Sequence, residues 1–295
     1  DIVVSAPIAM TNAGVSLRLN ADRDITVNGS ITTNGGSVTL DADRNITVNQ
    51  SITTNNGDIT LTALNVATLQ NLTLGANLNA GAGDVALTGL LVLSGASDAA
   101  STVAVSGDDI ALSGSIDGDG LQTRSLSVVG SGGVTLGGTF TNDIGNTNPI
   151  GDLSIRGTSL TVHSGTITPV AGSKFTLVSA TPGNQIAIRT SAGAVSNSLV
   201  IRTGTLDKFS AFASINLGQG TGLTRLFDDY TAPTHLNFKD SVQLDGNITL
   251  IGGGRNITFE STLVGQSKQL IINDAGVITL KGNATGLDDF KVTQS

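Results

Sequence analysis

The sequence has no cysteine, no tryptophan and a single tyrosine among its 295 residues. Without cysteine the chain can form neither a disulfide framework nor a thiolate metal site. Aromatic residues make up 3% of the chain, too few to fill the core of a typical globular enzyme. Charged residues make up 13%, about half the ~25% of ordinary domains, yet a hydrophobic fraction of 39% is too high for a disordered chain.

Signals for membranes, export and nucleic acids are weak or missing as well. The best apolar run, residues 86–93, is interrupted by Thr88 and Gly89, so no run approaches the ~18 residues that a membrane-spanning helix needs. The chain begins with neither methionine nor a basic and then apolar leader, so we expect that a signal peptide was removed or lay outside this sequence. The net charge of −8 disfavours nucleic acid as a partner.

A tandem repeat dominates the first part of the chain. LRLNADRDITVNGSITTNGGS, residues 17–37, is followed at once by VTLDADRNITVNQSITTNNGD, residues 38–58, and 14 of the 21 positions are identical. Each copy holds three short runs in which aliphatic or β-branched residues alternate with polar ones, and this pattern predicts strands. Asn, Asp and Gly separate the runs and are typical turn residues.

Stacking of successive copies is the way in which such short strands become stable. Each strand then pairs in parallel with its copy 21 residues later, so that Leu19 lies on Leu40 and Ile25 on Ile46. Looser versions of the pattern continue to residue 282. The sequence therefore predicts an all-β protein, a parallel β-helix (β-solenoid) of about 12–14 coils of ~21 residues with three short strands per coil.

One stretch departs from the repeat pattern. Four of the eight phenylalanines and the only tyrosine fall between residues 209 and 238. We therefore expect β-helix coils over 1–204, an irregular insertion with aromatic residues over 205–240, and further coils over 241–295. The insertion is either a lid that buries its own phenylalanines or a recognition surface, because aromatic side chains supply contact area in binding sites. In the second case the candidate ligand-binding residues are Phe227, Tyr230, His235 and Phe238.

The tandem strings ADRDITVNGSITTNGG and ADRNITVNQSITTNNG resemble the filamentous-haemagglutinin-like exoproteins of bacterial two-partner secretion. The resemblance is clear over residues 15–61 and looser over the other coils. In that family N-I-T-V/L, S-I-x-T and N-G-G turns recur around a parallel β-helix that is right-handed, so the resemblance implies a right-handed coil here. It also implies export through an outer-membrane transporter, a secreted or cell-surface location, and adhesive or structural work.

The family's secretion domain carries NPNG- or NPNL-like motifs, and this sequence departs from them. Its nearest counterpart is Asn148-Pro149-Ile150, which matches only in part. We therefore expect a piece of the repeat shaft or a divergent member of the family.

Acidic residues are the main candidates for chemistry. Asp22 and Asp43 occupy the same position in adjacent coils, and such carboxylates either line a polysaccharide site or cap turns and pair with neighbouring arginines. The run Asp117-Gly118-Asp119-Gly120 alternates oxygen ligands as a calcium loop does, but it lacks the later ligands of an EF-hand. Calcium is thus the one cofactor to consider, and a solvated turn is the simpler interpretation. With only two histidines, a zinc site of two or three histidines is nearly impossible.

These observations predict a non-catalytic extracellular protein that forms a shaft or a head-to-tail fibre. Self-association would use the unpaired backbone groups at the two ends of the coil stack. Adhesion, biofilm formation or matrix building is the expected work, and host-cell or matrix glycans and receptors are the expected further partners. The alternative is a polysaccharide-binding or polysaccharide-cleaving β-helix.

Overall fold

The computed structural model describes residues 1–66, 68–95, 100–138, 143–163, 165–191 and 193–293. The chain is nearly all β and folds as a parallel β-solenoid of about 13 turns, whose successive coils lie about 22 residues apart. The predicted fold class and number of coils are therefore confirmed. The chain divides into two compact units, Asp1–Ile155 with Leu160–Val170 and Arg156–Ser159 with Ala171–Ser295.

The first unit repeats three short strands in each coil. They are β1 (Ile2–Val4), β2 (Ile8–Ala13), β3 (Leu17–Ala21), β4 (Ile25–Val27), β5 (Ile31–Asn34), β6 (Val38–Ala42), β7 (Ile46–Val48), β8 (Ile52–Thr53), β9 (Ile59–Asn65), β10 (Thr68–Leu69), β11 (Asn71–Leu74), β12 (Leu78–Asn79), β13 (Val85–Thr88), β14 (Leu90–Leu93), β15 (Ser101–Gly107), β16 (Ile110–Ser113), β17 (Ile116–Gly118), β18 (Arg124–Gly130), β19 (Gly133–Leu136), β20 (Leu153–Gly157) and β21 (Ser159–Val162).

These strands form three parallel faces of six, seven and seven strands, in which successive strands of a face come from successive coils. The strand orders are β1-β4-β7-β11-β14-β17, β2-β5-β8-β12-β15-β18-β20 and β3-β6-β9-β13-β16-β19-β21. The short strand β10 is the exception among the described strands of this unit, because it pairs with β9 in an antiparallel direction.

The tandem repeat pairs in the predicted register. Leu19 lies opposite Leu40 and Ile25 opposite Ile46. The side chains of Ile25, Leu40 and Ile46 are fully buried. The core of the first unit is accordingly a narrow stack of aliphatic side chains, which explains why residues 1–139 contain no aromatic residue.

One corner of the repeat is built from threonine and glycine. The side chain of Thr33 is fully buried, and its hydroxyl donates to the backbone carbonyls of Gly36 and Thr54. The hydroxyl of Thr54 makes the equivalent contacts one coil later, to Gly57 and Ala80. Each buried hydroxyl therefore joins its own turn to the next coil and is itself hydrogen-bonded, as buried polar groups usually are.

The second unit contains thirteen further described strands and two short helical turns. They are β22 (Lys174–Ser179), β23 (Gln185–Arg189), β24 (Ser198–Arg202), α1 (Thr203–Leu206), a 3₁₀ turn (Asp207–Phe209), β25 (Ser214–Leu217), β26 (Leu223–Leu226), β27 (Tyr230–Thr231), β28 (His235–Phe238), β29 (Ser241–Leu244), β30 (Ile248–Ile251), β31 (Ile257–Phe259), β32 (Leu263–Asn273), β33 (Ile278–Leu280) and β34 (Ala284–Thr293).

Two parallel faces organise this unit. The β25 face has the order β22-β25-β28-β31-β33. The β23 face has the order β24-β23-β26-β29-β32-β30-β27, and β34 pairs with β32 beside it. The strand β24 is therefore the outer strand of the β23 face.

The irregular stretch is earlier and shorter than the predicted insertion at 205–240. Residues 214–238 contain β25 to β28, which pair in parallel register with their neighbours. The departure lies between β23 and the 3₁₀ turn, where Gln185 pairs with Ser198 of β24 only 13 residues later. The aromatic residues misled the prediction because phenylalanine is a core residue here, as the stacked rings of Phe238 and Phe259 show.

The helical turns after β24 are attached to the solenoid by aromatic packing. Phe209 is fully buried, and its ring stacks on that of Phe175 with the centroids 3.7 Å apart. Phe212 packs against both rings at 6.1 and 6.3 Å. No helix in the described part of the chain has the length and apolar character needed to cross a membrane.

Candidate functional site

The four predicted ligand-binding residues do not share one surface. Phe238 is fully buried and stacks on Phe259 with ring centroids 5.0 Å apart. Tyr230 is 5% exposed. Both side chains therefore belong to the core of the second unit, and neither offers a ligand enough surface to bind. This part of the prediction missed that the alternation of β27 and β28 points these rings inward.

Phe227 and His235 are more accessible, on different parts of the unit. The ring of Phe227 is half-buried, and the guanidinium groups of Arg189 and Arg225 each lie 5.0 Å from its centroid. His235 is exposed, and its Nδ1 accepts the backbone N–H of Asn256 at 2.8 Å. The contact with Asn256 gives the imidazole a structural role between two coils.

The buried Tyr230 lies close to the carboxylate of Asp207, which is an exposed residue. Burial raises the pKa of Tyr230 above its ordinary range, and the negative charge of Asp207 raises it further. Burial also raises the pKa of Asp207, against a smaller lowering by the Tyr230 hydroxyl. The tyrosine therefore stays protonated at neutral pH.

Turn carboxylates are used to join one coil to the next. Asp58 accepts the backbone N–H of Asp84 at 3.0 Å, Asp84 accepts that of Asp109 at 3.1 Å, and Asp109 accepts that of Gly133 at 2.6 Å. We call this series the carboxylate ladder. Other coils repeat the contact, from Asp1 to Asp24, Asp24 to Asn45, Asp143 to Thr166 and Asp229 to Thr249.

Arginines form ion pairs with further carboxylates at the surface of the first unit. Arg44 donates to both oxygens of Asp24, and Arg23 pairs with Asp1 at 2.7 Å. The hydrogen bond from Arg44 is the main cause that lowers the pKa of Asp24 to about 2. Asp1 and Asp24 thus accept turn N–H groups and pair with arginines, whereas Asp22 and Asp43, which the sequence singled out, are exposed and keep both interpretations open.

In the candidate calcium loop, the carboxylates of Asp117 and Asp119 accept hydrogen bonds from other groups of the protein. Asp119 accepts the Nε of Arg124 at 2.8 Å and the backbone N–H of Leu121 at 3.0 Å. Asp117 accepts the backbone N–H of Thr147 at 3.1 Å. A guanidinium group beside Asp119 opposes a second cation, so these residues do not fit a calcium site. The described ranges contain no group of three or more His, Cys, Asp or Glu placed to hold a metal ion.

A buried carboxylate organises the turn after β25. Asp240 is 1% exposed. One of its oxygens accepts four consecutive backbone N–H groups, those of Gln219, Gly220, Thr221 and Gly222, at 3.1, 2.7, 3.0 and 3.0 Å. The turn at 218–222 is therefore wrapped around the side chain of the next coil.

This turn borders an open polar groove on the β25 face. The groove has a volume of about 560 Å³, and its lining includes Thr176, Asn216, Gln219, Lys239, Glu260 and Ser261. Asn237 donates to Asn216 at 2.9 Å, and Asn216 donates to Thr176 at 3.2 Å. Lys239 and Lys281 contact Glu260 from either side at 3.2 and 2.6 Å. We call the surface made by these residues the polar groove.

The polar groove presents amide, hydroxyl, ammonium and carboxylate groups in columns along the coil stack. Hydrogen bonds from Lys281 and Lys239 lower the pKa of Glu260. The carboxylate is therefore charged at neutral pH and acts as an acceptor between two cations. Such a surface can form hydrogen bonds with a hydroxyl-rich ligand. The sequence prediction missed it because its residues are common surface types spread over residues 176–281.

Comparison of the chain with protein-family models, with curated proteins and with solved structures finds no match. The resemblance of the repeat to filamentous-haemagglutinin-like exoproteins therefore stays a prediction, and the function is argued below from the geometry of the chain itself.

Proposed function

We propose that this chain is a non-catalytic structural β-solenoid that associates end to end with further copies of itself. Its work would be to build an adhesive or scaffolding shaft or fibre outside a bacterial cell. The location and an outer-membrane transporter as export partner rest on the resemblance of the repeat. The observation that carries the proposal is the in-register parallel pairing of successive coils, which leaves unpaired strands at the outer coil of each unit.

The first coil offers three such strands. In the described residues, β1, β2 and β3 each pair on one side only, with β4, β5 and β6. Val3 beside this edge is 56% exposed. Unpaired strand edges bind further strands readily, because their backbone N–H and C=O groups lack partners.

The last coil offers a matching apolar surface. A hollow of about 550 Å³ is lined by Val277, Ile278, Leu280, Phe290 and Val292. Val292 is 45% exposed and Phe290 37%. Ile278, Leu280, Phe290 and Val292 are register partners of buried residues in the preceding strands. The first coil of a second copy would cover them with aliphatic residues of its own.

The use of the acidic side chains supports a structural role. The carboxylate ladder joins coils through backbone N–H groups, and the ion pairs of Asp24 and Asp119 engage two more acids. A general acid and base need carboxylates that face a substrate with suitable pKa values. Here the carboxylates of the ladder, of Asp24 and of Asp119 instead form hydrogen bonds and ion pairs within the protein.

Electron microscopy and sedimentation of the purified chain at several concentrations test the proposal. We expect fibres whose length grows with concentration. Val292→Lys puts a charge on the exposed edge of β34 and should abolish them. Val129→Lys is the matched control, because Val129 is 39% exposed on a strand, β18, that has neighbours on both sides. Single particles at every concentration, or equal loss of fibres in both variants, would contradict the proposal.

A second candidate function is polysaccharide binding, which the polar groove favours. Its columns of Asn, Thr and Lys groups run along the stack, and an extended glycan presents hydroxyl groups in a matching linear array. Neutral and acidic oligosaccharides immobilised on a surface provide the test. Asn237→Ala should lower binding, whereas Asn49→Ala removes an equivalent asparagine contact, to Asn28 at 2.9 Å, in the first unit. Equal binding by both variants would exclude the groove.

A further inference from the structure

The β23 face carries two arginines side by side on neighbouring strands. Arg189 ends β23 and Arg202 ends β24, and the two are register partners in the parallel pairing. Neighbouring strands lie about 4.8 Å apart, so both side chains leave the same face of the sheet at close spacing. Like charges directly opposite each other on paired strands are destabilising.

Neither arginine has an acidic partner that offsets this repulsion. Across residues 165–191 and 193–293, the ion pairs use Arg225, Lys239 and Lys281 but not Arg189 or Arg202. The Nε of Arg189 is buried and has no hydrogen-bond partner. A buried donor without an acceptor is costly and rare in folded proteins.

The neighbouring groups hold the Arg189 guanidinium in place. The ring of Phe227 lies 5.0 Å from it, within the range of a cation–π contact. Arg225 lies 5.0 Å from the centroid of the same ring and is neutralised by Asp245, with two hydrogen bonds of 2.8 Å. The nearby Asp228 is engaged by the backbone N–H and hydroxyl of Thr190 at 2.8 and 3.0 Å. Three arginines, Arg189, Arg202 and Arg225, stand against the two carboxylates of Asp228 and Asp245, so positive charge is in excess by one.

We propose that Arg189 and Arg202 form a binding site for an oxyanion group, namely a sulfate, phosphate or carboxylate. Guanidinium groups match the planar, two-oxygen edge of such groups. One bound anion would remove the repulsion between the two arginines. Arg202 is exposed on the outer strand β24, so the site is open to solvent. The oxyanion that binds at this site can be a free ion or the acidic group of a glycan.

Titration with inorganic sulfate and inorganic phosphate tests the site, with sodium chloride holding the ionic strength constant. The readout is the NMR signal of the Arg189 Nε–H group and the heat of binding. We expect a saturable shift in the natural chain. Arg202→Gln should weaken binding about tenfold or more, because it removes a charged hydrogen-bond donor. Arg18→Gln is the matched control, an exposed strand arginine of the first unit, and it should leave the affinity unchanged.

Further experiments distinguish a free anion from an acidic glycan as the ligand, and both from a purely structural role of the two arginines. A sulfated oligosaccharide that binds more tightly than free sulfate, with the gain lost in Arg202→Gln, identifies an acidic glycan as the ligand. Equal affinity identifies the free ion. Arg189→Gln should also weaken sulfate binding. If that variant does not fold, Arg202→Lys replaces it, because lysine keeps the positive charge but lacks the planar guanidinium group, and it should bind sulfate with intermediate affinity. A shift that chloride reproduces, or an Arg202→Gln variant that aggregates while its sulfate affinity stays unchanged, would overturn the proposal.

Discussion

The buried carboxylate of Asp240 accepts the backbone N–H of Gly220 at 2.7 Å, 20 residues back along the chain. The same oxygen accepts three more N–H groups of that turn. A side chain of one coil therefore supplies the acceptor for a whole turn of the preceding coil. This inverts the carboxylate ladder of the first unit, in which an acid such as Asp109 binds the N–H of a later coil.

Asp240→Asn should destabilise the second unit. The amide keeps an acceptor oxygen but loses the negative charge that four N–H dipoles surround. Charge-assisted hydrogen bonds are about twice as strong as neutral ones, so we expect a loss of about 2–4 kcal/mol in the free energy of unfolding. Urea titration measures it. Asp22→Asn, at an exposed turn of the first unit, is the control and should change stability by less than about 0.5 kcal/mol. Similar values for both variants would show that the wrapped turn adds no stability.

Gly57→Ala should destabilise the first unit through a steric clash. A Cβ atom at Gly57 would lie inside van der Waals contact with the backbone carbonyl of Gly36 in the preceding coil. Because both groups are backbone, neither can move without disturbing the stack, and we expect a cost of about 1–3 kcal/mol. Gly204→Ala in α1 is the contrasting control, because its Cβ would meet no atom within 4 Å. An equal effect at both positions would argue against close coil contact at the glycine corner.

The fold was predictable where the chain repeats itself closely. Identical residues 21 positions apart fix both the strand direction and the register, as Leu19 opposite Leu40 shows. Further along, copies diverge and the spacing changes, from 26 residues between Ile59 and Val85 to 18 between Leu223 and Ser241. The sequence pattern does not predict these changes in coil length, because the corners of the coil accommodate turns of different length.

The candidate site was much less predictable than the fold. Tyr230 and Phe238 attracted attention as aromatic residues, yet the pleat of their strands points them into the core. Phe227 was chosen for the same reason, and its contacts with Arg189 and Arg225 depend on pairing between strands that only the structure fixes. Composition identifies residues that can bind, but the coil stack decides which of them reach the surface.

Phe209→Ala should release the helical turns from the solenoid. The Phe209 ring is fully buried between Phe175 and Phe212, and removing a buried phenylalanine ring costs about 3–5 kcal/mol. We expect proteolytic cleavage between residues 203 and 212 at protease concentrations that leave the natural chain intact. Phe290→Ala, at a side chain that is 37% exposed, is the control and should not change cleavage in this region. Protection of the 203–212 region in Phe209→Ala would show that other contacts hold it.

Acid should weaken the first unit through Asp24. Its pKa is lowered to about 2 in the folded chain, mainly by the hydrogen bond from Arg44, against an ordinary value of 3.8. A lowered pKa means that the ion pair stabilises the fold fully above pH 3.8 and loses this effect as the pH falls toward 2. The stability difference between the natural chain and Asp24→Asn should therefore be constant near neutral pH and shrink between these two values. Urea titrations at several pH values measure it. Arg44→Gln provides the control background. There, Asp24→Asn should lower the free energy of unfolding by less at neutral pH, because the arginine that favours the charged carboxylate is gone. An equal loss in both backgrounds would assign the effect to the backbone contact with Asn45 instead.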